Sequence, residues 1–189
     1  MLDLRFKLCQ DKSCKELVFV ETTGVYDSLL NLGGWGSPNP TTASASNITL
    51  SVTFPDATTG SFTFPAGWPT TDNSKYIIIK NTDLGLVADD SFDDGQYTFT
   101  YSITSGTIVY TKAQDIYFFC QVRCCVNKMV ARIGDSNCQC EKDYVDNVLW
   151  ASALLHSLEY AAICNKKNQF DNIMEYLTAI CDTEPCDCD

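Results

Sequence analysis

The spacing of apolar residues changes once along this 189-residue chain, near Cys120. Before that point apolar and polar residues alternate in short runs, as in segment 48–54, and this is the spacing of a strand with one buried face. After it, apolar residues recur every three or four positions, which is the spacing of a helix. The chain is therefore predicted to be an α+β protein, with an antiparallel β-sandwich over residues 1–118 and a Cys-rich module of two to three helices over residues 119–189.

The alternating part of the sequence predicts short strands, bounded by turn residues, at 2–8, 17–21, 48–54, 61–65, 75–80, 95–103 and 107–119. An Asp-Gly turn before Tyr97 resembles the tyrosine corner of immunoglobulin-like domains, so we expect a sandwich of that type, with another sandwich or a jelly roll as the alternative. A loop rich in proline, glycine and serine covers 31–47. Helices are predicted at 120–133, 141–164 and 168–181.

The formal net charge of −11 limits the partners of the chain. A surface with excess carboxylates repels phosphate backbones and anionic headgroups, so we expect no specific nucleic acid and no membrane as partners. No apolar run reaches the 18 residues of a membrane-spanning helix, and the N-terminus alternates like a strand and does not resemble a signal peptide. We therefore expect synthesis in a cytosol, where thiols stay reduced until they reach an oxidising setting.

The sequence contains few residues or motifs typical of catalytic sites, so we expect that the protein is not an enzyme. His156 is the only histidine and lies in the most apolar predicted helix, where a packed or interface histidine is the simpler interpretation. Gly-rich phosphate loops and metalloprotease helices are absent from the sequence. The acidic segment "DDSFDDG" (89–95) lacks the ligand spacing of a calcium loop and favours a solvated turn.

The 11 cysteines are concentrated in the predicted helical module. Disulfides that pin the turn near residue 134 and the helix ends are the preferred interpretation, with zinc second and reduced buried thiols third. The cysteines considered for disulfides are Cys9, Cys14, Cys120, Cys124, Cys125, Cys138, Cys140, Cys164 and Cys181. No resident cofactor is expected; the alternative zinc site would draw on Cys124, Cys125, Cys138, Cys140 and Cys164, although Cys-x-x-Cys knuckles are missing.

The second predicted helix is apolar nearly all round, because its middle reads "VLWASALLHSLEYAAI" (148–163). Such a helix must be covered on more than one side, by its own chain or by another subunit. We expect interface residues in this helix, in the next helix and in the 31–47 loop, where a tryptophan between glycines is either a docking residue or a cover for the sheet edge of its own domain. They are Trp35, Trp150, Leu154, His156, Phe170 and Met174.

Several stretches together resemble the small virion proteins of crAss-like tailed phages of gut Bacteroidales. These are "GGWGSPNP", "ITLSVTFPDATTGSFTF", "DDGQYTFTYSI" and the tail "FFCQVRCCVNKM…NCQCEKDYVDNVLW", and the likeness spans nearly the whole chain. The resemblance implies a structural protein of the virion, assembled in the bacterial host cytoplasm. It further implies a ring-forming component of the head-to-tail connector, whose partners are its own copies, other neck and tail proteins and the portal. The acidic surface suits a conduit through which DNA slides.

Two other functions stay open from the sequence. A capsid-surface or tail decoration that binds host glycan or protein would use the same sandwich, with Trp35 and Trp68 exposed. A thiol-dependent enzyme would need a low-pKa cysteine close to His156.

Overall fold

The computed structural model describes residues 7–8, 16–20, 48–66, 76–85, 92–105, 107–183 and 186–188. Over these residues the chain is an α+β protein in which a four-stranded antiparallel sheet precedes three helices. The strands are β1 (Lys7–Leu8), β2 (Glu16–Val20), β3 (Ile48–Thr53), β4 (Thr59–Phe62), β5 (Tyr76–Lys80), β6 (Gly95–Ser105), β7 (Ile108–Phe118), β8 (Cys138–Gln139) and β9 (Asp187–Cys188). The helices are α1 (Cys120–Ile133), α2 (Lys142–Ile163) and α3 (Lys167–Cys181), and a 3₁₀ turn covers Asn81–Leu84.

The strands form sheets with the orders β1-β2-β5 and β4-β3-β6-β7, and β8 pairs with β9. β3 has the alternation that its sequence predicts, with every second side chain buried. β4 begins two residues earlier than predicted because the turn before it is tight. Asp56 accepts a hydrogen bond from the Thr58 backbone N–H at 2.9 Å, and the Phe54 N–H donates to the Thr58 carbonyl at 2.9 Å.

The chain divides into two compact units. The first, called the sheet unit below, contains Met1–Phe92 and Tyr97–Ile116. The second, the helical unit, contains Asp93–Gln96 and Tyr117–Asp189. The change of unit at Tyr117 falls close to the predicted boundary after residue 118, but the sequence did not predict that Asp93–Gln96 belongs with the helices.

The core of the sheet unit is built from the inward residues of β3 and β6 and from neighbouring aromatic rings. Tyr97 is 1% exposed, and its ring lies 5.5 Å from that of Phe54 and 5.6 Å from that of Phe92, both edge-on. Edge-to-face pairs of this kind add stability beyond the area they bury. The alternation in β6 therefore places its aromatic residues where they form one packed cluster.

The core of the helical unit gathers one face from each helix and the end of β7. Tyr117 packs on Phe170 with ring centroids 4.7 Å apart, and its hydroxyl donates a 2.5 Å hydrogen bond to Asn165 Oδ1. Phe119 also contacts Phe170, at 6.2 Å between centroids. The buried residues contributed by the helices are Val122, Val126, Met129, Val148, Ala151, Leu158, Ala161, Phe170, Leu177 and Ile180.

The turn between α2 and α3 reverses the chain at Asn165, which has a left-handed φ of 51°. Asn tolerates this conformation better than most residues, and it suits the position just after a helix end. The Lys166 N–H donates to the Ala161 carbonyl at 2.8 Å and so satisfies one of the last acceptors of α2. Among the described residues, no helix is long and apolar enough to cross a bilayer.

Candidate subunit interface

Disulfides join the helices of the helical unit to each other and to the C-terminal tail. Cys125 of α1 is bonded to Cys181 at the end of α3, and Cys140, just before α2, is bonded to Cys186 in the tail. Cys120 and Cys138 are also disulfide-bonded, and Cys138 lies opposite Cys188 in the β8–β9 pair. Many of the cysteines after residue 119 therefore form disulfide bonds that cross-link the helical unit.

Cys124 and Cys164, both predicted as candidates for disulfides, carry free thiols in the structure. Neighbouring helical residues point about 100° apart, so Cys124 cannot share the direction of Cys125 toward α3. Cys186, which the sequence analysis left out, is bonded. Cys9 and Cys14 lie outside the described residues.

The alternative thiolate zinc site loses three of its five candidate donors, because Cys125, Cys138 and Cys140 are disulfide-bonded. A sulfur atom in a disulfide is not the thiolate that zinc binds. Over the part of the chain that the structure describes, no group of three or more His, Cys, Asp or Glu side chains is placed to hold a metal ion.

The acidic segment 89–95 has a structural role that its sequence did not predict, although residues 89–91 lie outside the described part. Asp94 accepts hydrogen bonds from the backbone N–H groups of Gln121 and Val122, at 3.0 and 2.7 Å. It thus caps the first turn of α1, whose own N-cap residue provides no side-chain hydrogen bond. Burial raises the pKa of the Asp94 carboxyl above its ordinary value, and the opposing effect of these backbone hydrogen bonds is smaller.

One face of α2 packs into the core, and the other carries large apolar side chains in the open. Leu149, Trp150, Tyr160 and Ile163 are 51, 59, 53 and 78% exposed. With the exposed residues Ala153 and His156 they form the outer face of α2, whose seam, at 149, 153, 156, 160 and 163, has the spacing of a coiled-coil contact. Single exposed apolar residues are common, but a continuous row of them typically marks a binding surface.

The predicted interface residues fall in different environments. Trp150 and His156 lie on the outer face of α2, whereas Leu154 and Met174 are half-buried. Phe170 is 1% exposed and lies in the core of the helical unit, so it is not available to a partner in this structure. Trp35 and Trp68 lie outside the described residues.

Sequence reasoning missed Leu149, Tyr160 and Ile163 as surface residues. Their spacing could have been read from the sequence, since 149, 156 and 163 differ by seven. The signal was hidden because α2 is apolar on both faces, and the contrast that distinguishes an inner from an outer face is therefore small.

Charged side chains flank both ends of the outer face, and they include the exposed Lys142 at its start and the exposed Glu159 near its end. Asp143 and Asp146 are exposed in the first turns of α2. At the other end the Lys166 ammonium lies 4.7 Å from the centre of the Tyr160 ring, a position that stabilises the cation through the face of the ring. The neighbouring Lys167 is paired with Asp171 at 2.9 Å.

The chemistry available on this face is that of binding. His156 is exposed, and the free thiol of Cys164 lies eight positions further along, which is about 12 Å of helix rise. At that distance the imidazole and this thiol cannot share a hydrogen bond. The outer face of α2 can bury apolar surface against a partner and pair charges at its ends.

Comparisons with protein-family models, curated proteins and solved structures found no match to this chain.

Proposed function

We propose that this chain is a structural, non-enzymatic protein of a tailed-phage virion, and that it forms a ring in the head-to-tail connector between portal and tail. The observation that carries the proposal is the outer face of α2, a row of exposed apolar side chains of the kind that subunit contacts bury. The sequence resemblance supplies the setting, a phage particle assembled in a bacterial cytoplasm.

A ring needs two different complementary surfaces on each subunit, because head-to-tail contacts join unlike patches. The outer face of α2 is one surface in this proposal. The other in this proposal is segment 31–47, which contains Trp35, is predicted from the sequence alone to be a loop and lies outside the described residues. The net charge of −11 suits a wall along which DNA moves without binding.

An immunoglobulin-like sandwich in the sheet unit is part of the proposal. The strand sets β1-β2-β5 and β3-β6-β7 correspond to the A-B-E and C-F-G sets of such a domain, whereas β4 pairs with β3 and not with β5 as in the constant-type order. Tyr97 is buried near the start of β6, where the tyrosine corner of that fold lies. Both observations support the assignment, and the proposal adds that the two sheets pack face to face.

The disulfides suit a protein that leaves the cell inside a particle. A bacterial cytosol keeps most thiols reduced, so we propose that Cys125–Cys181 and Cys140–Cys186 close after release. The helical unit would then be reinforced only once the particle meets oxidising surroundings.

The experiment is to compare the native protein with Ile163→Asp in a particle-assembly system that supplies portal and tail proteins. Val109→Asp is the matched control, because Val109 is 59% exposed but lies on β7 in the sheet unit. We expect the native protein and Val109→Asp to enter particles at the connector and Ile163→Asp to be excluded. Normal incorporation of Ile163→Asp would contradict the proposed contact, and binding of the native protein to capsid surfaces or host glycans would favour a decoration module.

A further inference from the structure

The two ends of the outer face of α2 are equally distant from its midpoint. His156 lies seven residues from Leu149 on one side and seven from Ile163 on the other, and Ala153 and Tyr160 lie between. All five residues are exposed. A helix face with this spacing can pack on a copy of itself around a two-fold axis at the midpoint.

Antiparallel pairing of two such faces matches large side chains with suitable partners. Leu149 of one copy lies opposite Ile163 of the other, so both apolar ends are covered. Ala153 lies one residue from the position directly opposite Tyr160, and its small side chain leaves room for the ring. His156 lies at the axis beside its own copy, where a polar residue in an apolar seam favours one alignment over shifted ones.

The charges at the two ends select the antiparallel orientation. In that arrangement Asp146 of one copy lies just beyond Ile163 of the other, at the end of α2 where Lys166 follows. The ammonium of Lys166 already lies beside the outer face, over Tyr160. A parallel pair would instead place Asp146 beside Asp146 and Lys142 beside Lys142, so that like charges face each other, which is unfavourable.

We propose that the partner of the outer face of α2 is a second copy of this chain, bound antiparallel through the two-fold axis at His156. The inference rests on the proposed function only in taking this face as a contact surface. A two-fold pair has no overall direction and cannot by itself extend into a ring. The pair is therefore the form of the free protein, and ring assembly would replace it at the same face.

A single-helix contact falls at the small end of specific interfaces, which begin at about 1,200 Å² of total buried area, so we expect a Kd of about 1–100 µM. Sedimentation velocity over that concentration range should show a monomer–dimer equilibrium. Ile163→Asp should raise the Kd at least about 100-fold, because it places a charge in the seam. Val109→Asp, equally acidic and on the sheet unit, should leave the Kd unchanged.

The orientation is tested by a charge exchange that keeps the composition constant. Asp146→Lys and Lys166→Asp should each weaken the dimer about tenfold, since each places like charges opposite one another. The double variant Asp146→Lys/Lys166→Asp should recover the native Kd. Failure of the double variant to recover, with both single variants folded, would contradict the antiparallel alignment.

Cysteine cross-linking gives a second, independent test of the orientation. In a background of Cys124→Ser/Cys164→Ser, which removes both free thiols, Leu149→Cys/Ile163→Cys should cross-link on mild oxidation. Neither single cysteine variant should do so, because the two copies of residue 163 are about 21 Å apart along the helix axis in an antiparallel pair. Cross-linking of the single variants would indicate a parallel pair and overturn the proposal.

Other occupants of the face give distinct results. A monomer at about 100 µM, the weak end of the expected range, overturns the proposal; protection of Trp150 from hydroxyl-radical labelling would then indicate that another segment of the same chain covers it. A monomer that still enters particles through this face would leave the proposed function intact. A dimer that fails to enter particles would support the pairing and contradict the proposed function.

Discussion

The sheet unit and the helical unit hold their chains together by different means. In the sheet unit, hydrogen-bonded ladders and a cluster of aromatic rings around Tyr97 provide the stability. The helical unit contains nine of the 11 cysteines and is crossed by the Cys125–Cys181 and Cys140–Cys186 bonds. A smaller unit buries a smaller share of its surface, so cross-links are worth most there. Because the disulfide bonds stabilise the helical unit, α2 can expose apolar side chains while the helices stay packed.

The largest expected difference between the units follows from removing the Cys125–Cys181 bond, which closes a sequence separation of 56 residues. Cys125→Ser/Cys181→Ser should lower the free energy of unfolding of the helical unit by about 4 kcal/mol, because the unfolded chain regains the entropy that the loop restricted. Hydrogen exchange followed by mass spectrometry should show faster exchange in α1 and α3 and no change in β3 and β6. Equal acceleration in the strands would remove the distinction between the units.

Gly60→Ala is the corresponding test for the sheet unit, which it should destabilise without affecting the helical unit. A Cβ atom at Gly60 would collide with the backbone carbonyl oxygen of Leu84 and lie 3.0 Å from Phe54 Cε2. The carbonyl cannot rotate away as a side chain can, so we expect a loss of about 1–3 kcal/mol by denaturant titration. Ser61→Ala, at the neighbouring exposed position of β4, is the control and should change stability little. If Gly60→Ala left the free energy of unfolding unchanged, the 3₁₀ turn after β5 would have to move the Leu84 carbonyl away at little cost.

Asp94→Ala should destabilise the helical unit by about 1 kcal/mol, because the first turn of α1 loses its cap. Asp94→Asn keeps one oxygen acceptor and should cost less. Thermal unfolding of the two variants beside Asp93→Ala checks this, since the Asp93 carboxylate accepts a 3.2 Å hydrogen bond from the side-chain amide of Gln121. Equal losses for Asp93→Ala and Asp94→Ala would argue against a specific cap.

The two units should respond oppositely to acid at Asp94 and Asp56. Burial raises the pKa of Asp94 above its ordinary 3.8, so the part of its stabilisation that is linked to protonation is full below 3.8 and is lost as the pH rises through the raised value, while the cap hydrogen bonds remain. Hydrogen bonds from Thr58 lower the pKa of Asp56, so its contribution is present above 3.8 and is lost as the pH falls through the lowered value. Carboxyl NMR titration should show Asp94 titrating at the higher pH, and the reverse order would contradict both assignments.

The smallest expected effect is at the surface of α3. Lys167 and Asp171 form a 2.9 Å ion pair whose side chains are about half exposed. Lys167→Ala should cost about 0.3 kcal/mol or less, because exposed pairs are weak and the order Lys before Asp is the less favourable one on a helix. If the free energy of unfolding in urea titration fell by more than about 1 kcal/mol, surface charge pairs would contribute more to the stability of the helical unit than expected.

Local patterns predicted most of the elements. Alternation over Ile48–Thr53 and three-to-four spacing over Cys120–Ile133 each correspond to an element with nearly the predicted bounds. These signals succeed because one buried face repeats at the period of the backbone itself. The pair β8–β9 was missed because two-residue strands are too short to show a period.

The candidate interface was less predictable. The sequence showed that α2 is too apolar for a helix with one partner, and it pointed to Trp150 and His156. The sequence could not distinguish these two residues, which are exposed, from Phe170, which is buried. An apolar residue looks the same in the sequence whether its own chain or another subunit covers it. Which face of α2 remains open depends on where α1 and α3 pack.

By itself, the sequence determined the order of strands and helices, the acidic charge and the concentration of cysteines near the C-terminus, since each is a local or summed property of the chain. Only the tertiary structure decided which sulfurs meet, that Asp94 caps a helix beginning 26 residues later, and which side of α2 stays exposed. These features join residues that are distant in the chain. Their geometry depends on packing, which no local pattern contains.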